Sequence, residues 1–188
     1  MEKIILIGGG GHCKSVIDVI EQENKYEIAG IVDKSELLNS DVLNYSIIGD
    51  DTDLKILSKT YKYALITIGQ THSASLRINL FNQALEAGFS LPSVISPKAY
   101  VSKHSRIGKG TIVMHEALIN ANVTIGENCI INSRALIEHD CIIHNHCHIS
   151  TNVTLNGSVK VESECFIGSN TVTKNNIIIK KNSFIKAG

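Results

Sequence analysis

An aliphatic residue returns every six positions from Ile95 to the end of the chain: Ile95, Val101, Ile107, Val113, Ile119, Ile125, Ile131, Ile137, Ile143, Ile149, Leu155, Val161, Ile167, Ile179 and Ile185. Only Thr173 breaks the series, and no insertion interrupts it. Four residues behind runs a second register of small or β-branched residues: Ser105, Thr111, Ala117, Val123, Cys129, Ala135, Cys141, Cys147, Val153, Val159, Cys165 and Thr171. A strict period of six is the signature of a parallel β-helix. Each hexad supplies one short strand and one corner, and three hexads close a coil. The large aliphatic fills the prism, and the small residue fits where the walls converge. The period therefore fixes geometry. Residues eighteen apart stack one coil above another, and residues nine apart lie on opposite sides of the prism.

Before Ile95 the pattern is different. Lys3–Ile7 is a continuous apolar run that ends in Gly8-Gly9-Gly10-Gly11, as a buried parallel strand would. Val16, Ile17, Val19 and Ile20 follow at helical spacing. Ile28–Val32, closed by Asp33, reads as a second strand, Ile47–Gly49 as a third, and Ala64–Ile68 as another that ends at Gly69. Leu54, Ile56 and Leu57 indicate a short helix, and Leu76–Ala87 a longer one with Gly88 as its C-cap. Alternating strands and helices point to a small Rossmann-like α/β domain with a parallel sheet. The expected division is residues 1–92 for this domain and 93–188 for the coils.

Lys+Arg and Asp+Glu both total 18, so no field of one sign invites nucleic acid or an anionic membrane. The N-terminus lacks a basic leader, and its apolar run is too short to span a bilayer, so a cytoplasmic protein is expected. Four of the five cysteines fall on the inward small-residue register and read as buried hydrophobes. No CxxC spacing supports a cysteine zinc site.

The glycine run stands where a strand gives way to a helix. Glycines there let a ligand approach the backbone, and the N–H groups at the helix start attract phosphate. The dinucleotide fingerprint is broken, because Cys13 stands where its last glycine would be, so a two-phosphate redox cofactor is disfavoured. Asp33 is placed to accept from ribose hydroxyls. The alternative is a tight turn and a capped strand.

Of eight histidines, His139, His144, His146 and His148 crowd into ten residues. His144, His146 and His148 occupy hexad positions two, four and six, which should face outward or lie at a corner. Their His-x-His-x-His spacing keeps a metal reading open. His139 lies between Glu138 and Asp140, and one coil above it is Gly157, whose missing side chain leaves a slot. An imidazole beside a carboxylate is the usual general base at neutral pH. The alternative is an exposed corner histidine paired to Asp140. His148 is nine residues on, so it cannot share a site with His139 in one prism. The two meet only if prisms pack around a threefold axis.

The glycine-histidine turn, the α/β domain, the hexads and Ile137-Glu138-His139-Asp140 together resemble the sugar acyltransferases of the left-handed β-helix superfamily. The similarity is greatest to bacterial N-acetyltransferases of nucleotide-linked 4-amino-4,6-dideoxy sugars (the bacillosamine and legionaminic acid type) and extends to the sialic-acid O-acetyltransferases. The resemblance implies a left-handed coil, a homotrimer with active sites between subunits, acetyl-CoA as co-substrate, and no metal. It implies His139 as catalytic base with Asp140 beside it, here an Asp where the family has Glu. It places His148 and Gly157 at acetyl-CoA, and Gly10, His12 and Asp33 at the nucleotide sugar. The family usually continues past a final Ala-Gly, so a truncated C-terminus is expected where this chain stops at Gly188.

Three other readings remain at this stage: an O-acetyl acceptor, a zinc protein of the β-helix carbonic-anhydrase type, and a non-catalytic scaffold. The zinc reading starts from the five-residue spacing of His139 and His144. Its third histidine would fall at position 103, which is Lys, with His104 beside it.

Overall fold

The computed structural model describes residues 1–70 and 72–188. It contains two compact units: Met1–Gly69 with Ser75–Pro92, and Gln70–Ala74 with Ser93–Gly188. No helix among the described residues is long and apolar enough to cross a membrane.

The first unit runs β1 (Glu2–Ile7), α1 (Gly11–Glu23), β2 (Tyr26–Val32), β3 (Asp41–Val42), β4 (Tyr45–Gly49), α2 (Leu54–Leu57), β5 (Tyr63–Ile66) and α3 (Ser75–Ala87). The strands form one sheet in the order β3-β4-β2-β1-β5. Ile4–Ile7 are completely buried, as a central strand covered on both faces requires. α1 buries Val16, Ile17, Val19 and Ile20 and ends at Asn24, whose φ of 55° turns the chain out of the helix. α3 ends at Gly88, at φ 102°. Chain direction across the sheet reverses between β1 and β5, so the carboxyl ends of these two strands flank the switch point where ligands of open α/β sheets bind.

The sheet is not wholly parallel. Asp41–Val42 pairs antiparallel with β4, Val42 opposite Tyr45. The connection, Leu43-Asn44, carries a leucine at φ 54° where a hairpin would ordinarily signal itself with glycine. Without that signal the edge strand is invisible to pattern reading.

The second unit is the prism. Its three walls are parallel sheets of two-residue strands. The first wall carries Tyr100–Val101, Leu118–Ile119, Leu136–Ile137 and Thr154–Leu155. The second carries Arg106–Ile107 through Ile178–Ile179, and the third Val94–Ile95 through Phe184–Ile185. Partners differ by eighteen residues throughout, as in Ile119 with Ile137 and Ile131 with Ile149. Both inward registers are buried in one continuous core from Val113 to Ile179. Each fully buried isoleucine adds roughly 2 kcal/mol of apolar transfer. All five cysteines are buried and none forms a disulfide.

Every sixth residue from Glu116 to Asn182 has φ between 51° and 67°. These are the corners. Asn and Asp tolerate this left-handed conformation better than other side chains, and seven of the twelve positions are Asn or Asp. Thr173, where the aliphatic series fails, is still buried, and Val172 makes only an isolated bridge to Thr154.

Candidate active site

His139 and Asp140 occupy the corner that follows Leu136–Ile137. Asp140 is the left-handed residue, at φ 62°, which turns its carboxylate back toward its neighbour. Asp140 Oδ2 lies 2.7 Å from His139 Nδ1. The shorter Asp therefore makes the imidazole contact in this chain. Asp140 Oδ1 accepts from Asn122 Nδ2 at 2.7 Å. Those two hydrogen bonds, Asn122 first, hold the Asp140 carboxyl below its ordinary range. The neighbouring carboxylate of Glu138 accepts from Asn120 Nδ2 at 2.9 Å.

The imidazole needs the residue above it to be glycine. A Cβ on Gly157 would stand 2.7 Å from His139 Cε1 and 2.8 Å from Nε2. One coil below is Ala121, so the ring lies between two small residues. The backbone beside the slot is also distinctive. Ala121 N–H is capped by Asn120 Oδ1 at 2.8 Å. At the equivalent place two coils up, Asn156 turns its amide to Thr173 O at 2.6 Å, and its own N–H donates to Thr173 Oγ1 at 3.0 Å. Asn156 thus leaves Gly157 N–H uncapped.

His148 opens a strand of the third wall, so it does not share the His139 corner. It points away from the prism core, as its hexad position requires. It is nevertheless buried, because Gln70 lies over it and donates its N–H to His148 Nδ1 at 3.3 Å. Phe166 packs edge-on against the ring, with centroids 5.1 Å apart. With Nδ1 accepting, the neutral ring carries its proton on Nε2. His144 and His146 lie on the corner between the second and third walls, not on a common strand, and His139 and His144 belong to different corners. Among the described residues no group of three or more His, Cys, Asp and Glu could hold a metal ion.

In the α/β unit the glycine turn follows β1. Gly8 has φ 104° and donates to Val32 O at 2.8 Å. Gly9 N–H donates to Asp33 Oδ2, and Lys34 N–H donates to Asp33 Oδ1 at 2.8 Å. Asp33 therefore locks the turn to β2 and keeps lone pairs for a ligand. Gly10 is the N-cap of α1 with no side-chain cap, and a Cβ on Gly10 or Gly11 would meet nothing within 4 Å. The turn therefore has open space beside Gly10 and Gly11, at the start of α1. A cleft of about 140 Å³ is lined by Gly8, Asp33, Lys34, Asp51, Ile68 and Leu76 among others. His12 lies in the first turn of α1. Burial first, and the Arg77 guanidinium second, lower its pKa to about 4.

Pattern reading misses two residues of these sites. Arg77 is almost fully buried although a helical arginine ordinarily reads as surface. Asn122 lies seventeen residues before His139, and only the eighteen-residue stacking rule connects it to Asp140.

With this geometry in place, comparison with known proteins is informative. Residues 3–84 match the PglD N-terminal domain family, and residues 98–139 and 122–157 match the bacterial transferase hexapeptide (six repeats) family. The two parts of the chain are thus similar to a PglD N-terminal domain and to bacterial transferase hexapeptide repeats. The acetyltransferase domain of PglB from Neisseria gonorrhoeae superposes with a TM-score of 0.92 at 27% identity, over 100% of this chain and 90% of that one. That domain has also been solved in complex with acetyl coenzyme A. PerB from Caulobacter crescentus, in complex with CoA and GDP-perosamine, gives a TM-score of 0.80 at 28% identity, over 96% of this chain and 92% of that one. WeeI from Acinetobacter baumannii, at 20% identity, shares the fold with a TM-score of 0.86 over 100% of this chain and 90% of that one. No curated protein sequence matches. The expected architecture stands: a Rossmann-like α/β domain followed by a left-handed parallel β-helix of hexapeptide repeats.

Proposed function

We propose that this chain is an acetyl-CoA-dependent N-acetyltransferase acting on the 4-amino group of a nucleotide-linked 4-amino-4,6-dideoxy sugar in bacterial glycan biosynthesis. The observation that carries the reading is the His139–Asp140 pair, with Nδ1 engaged at 2.7 Å and Nε2 turned to the slot that Gly157 leaves. The comparisons supply the chemistry of such a site in similar proteins: acetyl coenzyme A in PglB, CoA and GDP-perosamine in PerB.

Acetyl-CoA supplies an activated acetyl group as a thioester. His139 Nε2 takes a proton from the sugar amine as its nitrogen forms the amide bond. Asp140 keeps the ring proton on Nδ1 and compensates the imidazolium charge. The Gly157 N–H is a donor for the carbonyl oxygen as it gains charge, whereas His148 Nε2, buried within its own chain, is out of reach of a neighbour's acetyl group. The proton finally goes to the departing thiolate. No cysteine serves as nucleophile, because all are buried. The phosphates of the sugar nucleotide take the N–H groups at the start of α1 around Gly10 and His12. Asp33 takes a ribose hydroxyl.

The active assembly is a homotrimer. His139 and Asp140 are 57% and 49% exposed in the single chain, and acyl transfer needs a second surface to exclude water. The first wall, which leads into this corner, presents Tyr100, Leu118 and Val172 outward in one exposed stripe. Neighbouring prisms cover it.

The test is thiol release from acetyl-CoA with UDP- and GDP-linked 4-amino-4,6-dideoxy sugars, sialic acid and CMP-sialic acid in parallel. Release with one amino sugar establishes N-acetyl transfer and names the nucleotide. Release with the sialic acids alone moves the chain to O-acetylation. No release with any acceptor, together with no retention of acetyl-CoA, overturns the enzymatic reading. Sedimentation velocity tests the trimer.

A further inference from the structure

The Asp140 carboxylate is held from two sides: Oδ2 at His139 Nδ1 and Oδ1 at Asn122 Nδ2, each at 2.7 Å. Asn122 and Asp140 are corner residues one coil apart, at φ 60° and 62°. Their side chains therefore leave the backbone in the same direction, and the amide of one meets the carboxylate of the next. An exposed aspartate with one partner has several staggered rotamers open to it. A second anchor from a rigid coil leaves one. We propose that Asn122 is a positioning residue of the acetyl-transfer site: it fixes the Asp140 carboxylate so that the imidazole proton stays on Nδ1 of His139 and Nε2 remains the proton acceptor.

An amide suits this task. It donates without titrating and adds no charge that would compete for the imidazolium. Asn122 is also the largest cause holding the carboxyl in its ionised form. Glu138, the other carboxylate on this corner, is tied to Asn120 and does not compete.

The same ladder recurs on another corner of the prism. Asn152 Nδ2 donates to Asn170 Oδ1 at 2.8 Å, with φ 58° and 64°. There the preceding residues are Thr151 and Ser169. Stacked corner amides are thus a device of the coil, as Asn128 beneath His146 also shows at 3.1 Å, and at Asn122 the next rung carries a histidine's partner. Asn152 is an internal control for the merely structural role.

The proposal rests on the acetyl-transfer reading for its kinetic part and on the geometry alone for its tautomer part. The experiment uses the full chain and the variants Asn122→Asp, Asn122→Ala and Asn152→Asp. Asn122→Asp keeps the shape and the tolerance of positive φ but puts a second carboxylate where the donor stood, and Asn122→Ala removes the donor without adding charge. Imidazole ¹⁵N shifts of His139, assigned by their loss in His139→Gln, report which nitrogen holds the proton, and kcat and KM are measured beside them. In the wild type the proton is on Nδ1. In both Asn122 variants the shifts move toward the Nε2–H form, and kcat falls about tenfold with KM unchanged. Asn152→Asp moves neither. Wild-type kcat in Asn122→Asp overturns the proposal, as does an equal kcat loss in Asn152→Asp. If the wild type transfers no acetyl group, the functional reading falls and the tautomer alone decides whether Asn122 positions His139.

Discussion

The glycine turn of the α/β unit and the Asp140 corner of the prism each present a histidine, and the two are prepared in opposite ways. His12 has burial and the Arg77 cation against its charged form, which lowers its pKa to about 4. It is therefore a neutral group at working pH. His139 has a carboxylate at 2.7 Å and solvent access. Under the proposed function it is the proton acceptor. Under the proposed function, one fold gives binding and proton transfer to the same side-chain type by changing what surrounds it.

The largest effects should fall on the corner. His139→Ala is expected to lower kcat by about 10²–10⁴-fold with the melting temperature unchanged, since the ring is largely exposed. Retention of more than about a tenth of the rate would remove it as the base. Glycines separate the two regions next. In Gly157→Ala the new Cβ displaces the imidazole, and kcat should fall about a hundredfold, the scale of an ångström of misplacement. In Gly10→Ala the Cβ meets no neighbour, so the fold is kept and the KM for the nucleotide sugar rises as the approach to the helix start is blocked. If Gly10→Ala instead lowered kcat at saturating sugar, the division of labour would be wrong.

The prism could be read from sequence because its contacts recur at one sequence offset. Position in the chain is position in space, so Gly157 over His139 follows from counting. Asn122 under Asp140 follows from the same count, although the motif Glu138-His139-Asp140 points along the chain rather than across coils. The burial of His148 could not be counted: its cover comes from Gln70, 78 residues away. In the α/β unit the strands and helices announce themselves through apolar runs and helical spacing. The edge strand at Asp41–Val42 does not, since its turn uses leucine at positive φ. The burial of Arg77 is not legible either, because burial of a charge is decided by packing and not by its own segment.

A pH titration of stability sharpens the contrast from the other side. A histidine whose folded pKa lies below its unfolded value makes the unfolded state take up protons first. Stability is therefore whole above about 6.5 and is lost as pH falls toward about 4. Asp140 acts in a lower window. Its folded pKa is depressed, so its contribution holds above the ordinary carboxylate range and is lost as pH falls through the folded value. His12→Gln should flatten the urea midpoint between pH 6.5 and 4 while leaving its acid limb below that range. A wild-type slope in His12→Gln would show that His12 is solvated in the folded state.

The smallest expected effect concerns Thr173, where the aliphatic series fails. Thr173→Val restores the beat and buries one more methyl, worth roughly 0.8 kcal/mol. It also removes the Oγ1 that accepts Asn156 N–H at 3.0 Å, and a half-buried N–H left without its acceptor costs about 1–3 kcal/mol. The second term is larger, so urea unfolding should show a net loss of about 1 kcal/mol. The Asn156 side chain is not released, because its Nδ2 donates to the Thr173 backbone oxygen at 2.6 Å, which valine keeps. Gly157 N–H therefore stays open, and kcat should hold while stability falls. A valine variant of raised stability would show that the Thr173 hydroxyl contributes nothing at this corner, and a severalfold fall in kcat would show that the hydroxyl, not the carbonyl, keeps Asn156 away from Gly157.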